Sequence, residues 1–283
     1  MSDEDHFLVK SPEEIHEKGL VVIENNTGMP LYDELVLSPF FMIVLNHRGS
    51  IHMEYDFKPF TLGEHDFSLI YPNHVLKAAK STTDYLSTLI VMSPQFLELL
   101  RKTFPDHFRF EYHFNHTFHL NERQYEGLNA CFQLIKVINS LEKPEREELL
   151  ATQVDFMAHL TEIYMRENNV LIDDKSGVQQ LLLRFHALIA ENYNKNREVK
   201  FYAEQLCLSP KYFGTLVRKA TGYSAVEWIA IYVIVQAKHL LRHHLKMTIQ
   251  QISDRLGFAD QTAFAHYFKS HSGQTPQEYR AGK

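Results

Sequence analysis

The last third of this 283-residue chain repeats itself, sliding onto itself with a shift of about 51 residues. A repeat of that length builds the same small supersecondary unit twice and constrains the fold more than any other feature of the sequence. Ser209-Pro210-Lys211-Tyr212-Phe213-Gly214-Thr215-Leu216-Val217-Arg218-Lys219 sets against Asp260-Gln261-Thr262-Ala263-Phe264-Ala265-His266-Tyr267-Phe268-Lys269. Each copy opens on a helix-capping residue, Ser209 or Asp260, whose side-chain oxygen can accept from the helix's first free N–H groups. Each then carries paired apolar positions, Tyr212/Phe213 with Leu216/Val217 and Ala263/Phe264 with Tyr267/Phe268. That spacing predicts one buried face and one free face. Each copy stops at a glycine, Gly222 or Gly273, and continues alike through Trp228 or Tyr279.

A shorter amphipathic helix precedes each copy. One holds Tyr202, Ala203 and Leu206; the other holds Ile249, Ile252 and Leu256 behind Thr248. The connections Cys207-Leu208-Ser209 and Gly257-Phe258-Ala259-Asp260 have the length that joins two helices at a steep angle. The pattern predicts two helix-turn-helix units. Charge agrees: from Val178 onward there are 14 Lys+Arg against 7 Asp+Glu, whereas residues 1–177 hold 15 against 28. A basic module on an acidic body points to a polyanion partner for the module alone.

Gly257-Phe258-Ala259-Asp260-Gln261-Thr262-Ala263-Phe264, then Tyr267-Phe268-Lys269, Gly273-Gln274-Thr275-Pro276 and Tyr279-Arg280 resemble the C-terminal signature of AraC/XylS-type transcription regulators. The first copy and Gln236-Ala237-Lys238-His239-Leu240-Leu241 fit as well, so the resemblance covers about residues 180–283. It implies double-stranded DNA as partner, with the second helix of each unit in the major groove. The first reader would use Lys211, Gly214, Thr215 and Arg218; the second would use Gln261, Thr262, Ala265 and His266. Gln261 suits an adenine edge, and Thr262 or Ala265 a thymine methyl. Lys219 and Lys269, at helix ends, suit phosphate. Gly214 offers no side chain, so the first reader is expected to give more affinity than specificity. Phe264, Phe268, Leu216 and Trp228 read as core. Cys207 reads as a buried small hydrophobe, and Arg280 is left open between structural and phosphate-contacting roles. The family often carries Arg or Lys where this chain has Tyr232 and Val233, which puts one linker-helix contact in question. The resemblance also implies a homodimer, RNA polymerase as a further partner and a small-molecule effector.

Residues up to about 120 read as mostly β. Ile51–Phe57 alternates with period two, and Phe40–Leu45, Phe67–Tyr71 and Leu86–Met92 are apolar runs of strand length. Gly63 and Tyr71-Pro72-Asn73-His74 resemble, in outline, the cupin-like sensor domains of the same family. Beyond Asn121-Glu122 the period becomes helical, with Leu128, Cys131, Phe132, Ile135 and Ile138 on one stripe. After Lys143-Pro144, Leu149, Leu150, Val154, Met157, Leu160, Ile163 and Tyr164 form another. The expected organisation is an α+β chain: a cupin-like β-barrel sensor over 1–120, a helical hairpin over 121–172 as a dimer interface, a linker at 173–177, and an all-α double helix-turn-helix domain over 178–283 whose two units are joined by a long helix at about 226–243.

A small barrel of this kind can enclose one ligand, with His52, Glu54, Tyr71 and His74 as candidate effector-binding groups. Eleven of the 17 histidines precede Val178, which invites a metal reading. Yet the chain has one His, His52, where a metal-binding cupin has a His-x-His pair. His113, His116 and His119 fall on an expected strand, where their spacing turns successive residues to opposite faces. No metal, cofactor or catalytic residue is therefore assigned. No phosphate-cradling Gly-rich loop, Gly-x-Ser-x-Gly elbow or Cys/His nucleophile pattern appears, and binding rather than catalysis is expected. A metal-dependent cupin enzyme with an accessory DNA-binding domain, and a constitutive DNA-binding protein with an N-terminal dimeriser, are the alternatives. The two cysteines and the acidic start suit a reducing cytoplasm. The longest apolar runs fall far short of the roughly 18 residues of a membrane span, so no membrane is expected as partner.

Overall fold

The computed structural model describes residues 12–27, 36–104, 117–142, 145–170 and 177–282. The chain divides into two compact units, Met1–Lys175 and Ser176–Lys283. Most of the expected linker, 173–176, lies outside the described residues; Gly177 already belongs to a helix.

The first unit opens with α1 (Pro12–Lys18) and is built on nine described strands, all pairing antiparallel: β1 (Leu20–Asn26), β2 (Val36–Leu37), β3 (Phe41–Arg48), β4 (Ile51–Tyr55), β5 (Lys58–Leu62), β6 (Asp66–Ile70), β7 (Val75–Ser81), β8 (Leu86–Met92) and β9 (Thr117–His119). They form one sheet in the order β1-β8-β3-β6-β9 and another in the order β2-β7-β4-β5. The apolar run of β3 follows from its place. Phe41, Ile43 and Leu45 pack into one core with α2 (Pro94–Thr103), α3 (Glu122–Asn139) and α4 (Glu145–Glu167). Met42 and Val44 pack into a second core with Ile51, Tyr55, Leu62 and Leu76 of the other sheet. A strand covered on both faces needs apolar residues at every position. Strand β4 has only one covered face and alternates, with Ile51, Met53 and Tyr55 inward. The β4–β5 connection is a two-residue turn at Asp56 and Phe57, both at positive φ (49° and 64°), the backbone of the hairpin turn that matches strand twist.

Helix α3 starts on a capping box, Asn121 with Gln124, and buries the expected stripe Leu128, Cys131, Phe132, Ile135 and Ile138. Helix α4 departs from its expected stripe. Leu150, Val154, Met157 and Tyr164 are buried, but Leu149 and Ile163 are 44% and 47% exposed. They lie seven residues either side of Phe156, itself 57% exposed, and so form a second apolar line on another face of the helix. The buried Arg146 guanidinium ties the start of α4 to β1, donating to the carbonyls of Lys18 (2.8 Å) and Leu20 (3.2 Å) and to Asn139 Oδ1 (2.8 Å).

The second unit is all helical: α5 (Gly177–Asn192), α6 (Val199–Gln205), α7 (Pro210–Thr221), α8 (Ala225–His243), α9 (Ile249–Arg255), α10 (Gln261–Ser272) and α11 (Pro276–Arg280). Ser209 and Asp260 accept from the N–H groups of Tyr212 and Ala263, and Gly222 and Gly273 close α7 and α10 at φ 87° and 82°. Capping boxes start α8 (Ser224/Glu227), α9 (Thr248/Gln251) and α11 (Thr275/Glu278). The long α8 is buried along much of its length, including Trp228, Tyr232, Val233, Ala237 and Leu241, as befits a helix that packs against the helices of both copies.

Candidate nucleic-acid interface

The repeat fixes which faces of α7 and α10 are free. Phe213 and Val217 are buried in α7, and Phe264 and Phe268, 51 residues on, are buried in α10. The expected paired burial is narrower than the sequence suggested: Tyr212 is 58% exposed and Ala263 is exposed, while Leu216 and Tyr267 are only partly buried.

Around these anchors the expected reader residues face outward. Lys211, Thr215, Arg218 and Lys219 are exposed on α7, as are Thr262, His266 and Lys269 on α10; Gly214, Gln261 and Ala265 are partly exposed. Among the described residues, none of Lys211, Arg218, Lys219 and Lys269 is in a salt bridge. The charges of Lys211, Lys219 and Lys269 are open to an external anion, and Arg218 also feels the nearby Glu227 carboxylate. The Thr215 hydroxyl donates back to the Lys211 carbonyl at 2.9 Å, which spends its one hydrogen and leaves its oxygen an acceptor. A Cβ on Gly214 would meet nothing within 4 Å, so packing does not demand a glycine there.

Tyr212 is the surface residue the sequence reading missed. It belongs to the first turn of α7, beside Lys211, and adds an aromatic ring and a hydroxyl to that exposed face. Its register against Ala263 rather than Phe264 was the available signal. Tyr232 and Val233, where the family often has a cation, are 1% and 0% exposed, so those two positions face core. Cys207 is exposed, not buried, and has φ 57°. It matches Gly257 (φ 71°) of the second copy, because both turns leave the preceding helix through a left-handed residue.

The candidate effector groups split into two pairs: Tyr71 and His74 meet, with ring centroids 6.0 Å apart, whereas His52 and Glu54 do not join them. His52 and Glu54 point outward from β4, the former with Nδ1 2.7 Å from Thr61 Oγ1 and the latter 3.7 Å from Lys77 Nζ. Alternation along a half-covered strand makes this unavoidable. Tyr71 and His74 are buried, 3% and 5% exposed. Tyr71 stands edge-on to Phe41 at 5.3 Å, whereas His74 stacks on Tyr55 at 5.0 Å with Nδ1 2.6 Å from Asp56 Oδ2. Nor do His52 and Glu54 offer an inward donor set of the metal-binding cupin kind. His119 is exposed on β9, with Nδ1 3.1 Å from Asp66 Oδ1; His113 and His116 lie outside the described residues.

Residues 202–282 match the family described as a helix-turn-helix domain. The arabinose operon regulatory protein of Escherichia coli is 36% identical over 89 residues, 31% of this chain and 30% of that protein. The Msm operon regulatory protein of Streptococcus mutans is 29% identical over 110 residues, 39% of each. The chain therefore spans well under half the length of these two curated relatives. In fold, the chain is similar to ToxT of Vibrio cholerae in its unsaturated fatty acid bound form, with TM-score 0.50 and 14% identity over 92% of this chain and 94% of that one. Among the described residues no single helix is long and apolar enough to cross a membrane.

Proposed function

We propose that this chain, whose residues 202–282 are a helix-turn-helix domain of the AraC type, is a cytoplasmic transcription regulator that reads two adjacent major grooves on one face of a DNA duplex. The observation that carries the proposal is the pair of α7 and α10. Two helices anchored by matching residues of a repeat each turn a face of exposed basic and hydrogen-bonding side chains to solvent. Lys211, Arg218, Lys219 and Lys269 neutralise phosphates and supply the salt-dependent part of the affinity. Gln261, Thr262, Ala265 and His266 read base edges, with Tyr212, Gly214 and Thr215 shaping the first contact.

The remainder of the proposal concerns control. A second copy of the chain covers the apolar line on the helical hairpin, where Leu134, Val137, Leu141, Leu149, Phe156 and Ile163 are each 44–60% exposed; an apolar patch of this kind marks an interface. A small molecule acts through the sheet unit, a reading supported by the fold's likeness to fatty acid bound ToxT. Bound beside a promoter, the dimer works within reach of RNA polymerase. Its work is binding, not catalysis.

Competition between specific and random duplexes tests the reader assignment. Gln261→Ala with His266→Ala is expected to lose site preference while keeping salt-sensitive non-specific binding. Unchanged discrimination between sites contradicts it.

A further inference from the structure

The stretch between α5 and α6 leads into the first helix-turn-helix unit, yet its side chains lodge in the second. The Arg197 guanidinium carbon lies 3.8 Å from the centroid of the Phe258 ring and 5.9 Å from that of Tyr267. One terminal nitrogen of Arg197 donates to the Gly257 carbonyl at 3.3 Å and the other to the Leu256 carbonyl. All four partners belong to the second unit's turn or its reading helix. The backbone follows the same path. A Cβ on Gly257, which sits at φ 71°, would collide with the Asn194 carbonyl oxygen, so this glycine serves both a left-handed turn and a close chain crossing. Tyr193 packs against the core of Ile252, Leu256, Phe264 and Phe268. The other end of the stretch is held by the first helix-turn-helix unit, whose buried Tyr202 donates its hydroxyl to the Asn196 carbonyl at 2.8 Å.

We infer that Arg197 is a latch that fixes the separation and angle of the two reading helices. Helix α8 is the covalent path between the two helix-turn-helix units, and it ends in the exposed turn at His244–Lys246. Packing on α8 and the Tyr193 contact hold the two units loosely in place, and the directional attachment at Arg197 removes the remaining freedom of the second turn to shift against the first unit. Arginine suits the place because its planar fork serves two carbonyls while its face lies on an aromatic ring, which lysine cannot do together. On DNA, two rigidly spaced readers bind as one bidentate ligand only where the recognition blocks stand at the matching spacing. The latch thus makes the distance between blocks part of the recognised sequence.

The inference rests on the DNA-binding proposal, and binding-site selection from randomised duplexes separates the two. The wild-type chain is expected to recover two blocks at one spacing. Arg197→Ala is expected to recover the same blocks over a spread of neighbouring spacings, with affinity for the wild-type spacing lowered about 10-fold. Arg197→Lys, which keeps the charge over Phe258 but cannot fork between the two carbonyls, falls between. Circular dichroism monitors folding; should the alanine variant unfold, the lysine variant carries the test, with a narrower spread expected. A folded variant that keeps the single wild-type spacing overturns the latch. Failure of the wild-type chain to recover two blocks overturns the DNA-reading proposal instead.

Discussion

The indole Nε1–H of Trp228 donates to Thr221 Oγ1 across 3.0 Å, which joins α8 to the last residue of α7. The same hydroxyl accepts the Tyr223 N–H at 3.1 Å, so one side chain organises the turn around Gly222. Trp228 is fully buried and packs edge-on to His186 at 4.6 Å. Trp228→Phe keeps an aromatic ring but removes the donor and some volume. It is expected to destabilise the second unit by about 2 kcal/mol. The midpoint of chemical denaturation, followed by circular dichroism, checks this; an unchanged midpoint would show that the hydrogen bond contributes nothing.

His47 gives the first unit a pH dependence. Its ring bridges Tyr125 OH (2.8 Å) and Thr88 Oγ1 (2.7 Å), and so links α3 to β8. Burial, with His65 nearby, holds its pKa below the usual histidine range. The folded state therefore prefers the neutral ring. As pH falls through the ordinary histidine value of about 6.5 the unfolded chain takes the proton first, and stability is lost down to the lowered folded value. Thermal melts of wild-type and His47→Gln chains between about pH 7.5 and pH 5 are expected to differ in slope, with the variant flatter. Parallel slopes would remove His47 from the account.

Phe156, at the centre of the exposed line on α4, tests the dimer. Phe156→Asp is expected to shift the chain from dimer to monomer in sedimentation at micromolar concentration, with the far-ultraviolet circular dichroism of the fold retained because the site is exposed in the single chain, and the melting temperature lowered only by the loss of the partner. A monomeric wild-type chain, or a variant that still dimerises, contradicts the assignment.

The second unit was legible in the sequence because repetition doubles every signal. Caps, stop glycines and anchor aromatics each occur twice, and they fall where Ser209 and Asp260, Gly222 and Gly273, and Phe213 and Phe264 stand in the structure. What escaped is the detail that depends on a neighbour. Tyr212 and Leu216 pass for buried partners on composition, but only the packing beneath α7 decides which residue of each pair goes inward. Leu149 and Ile163 continue an apolar period on α4 without lying on its buried face. His52 and Glu54 were grouped with Tyr71 and His74 by chemistry, although the alternation of β4 already sets the first two outward. Arg197 could not be found from its own surroundings in the sequence, because the carbonyls and ring it engages lie about 60 residues away.

Hydroxyl-radical footprinting of a selected duplex tests the central claim most directly. One chain is expected to protect two patches on the same face of the helix, centred about 10–10.5 base pairs apart. Protection weakens on both patches together as salt rises. A single protected patch per chain, or two on opposite faces, would contradict a pair of readers set in adjacent grooves.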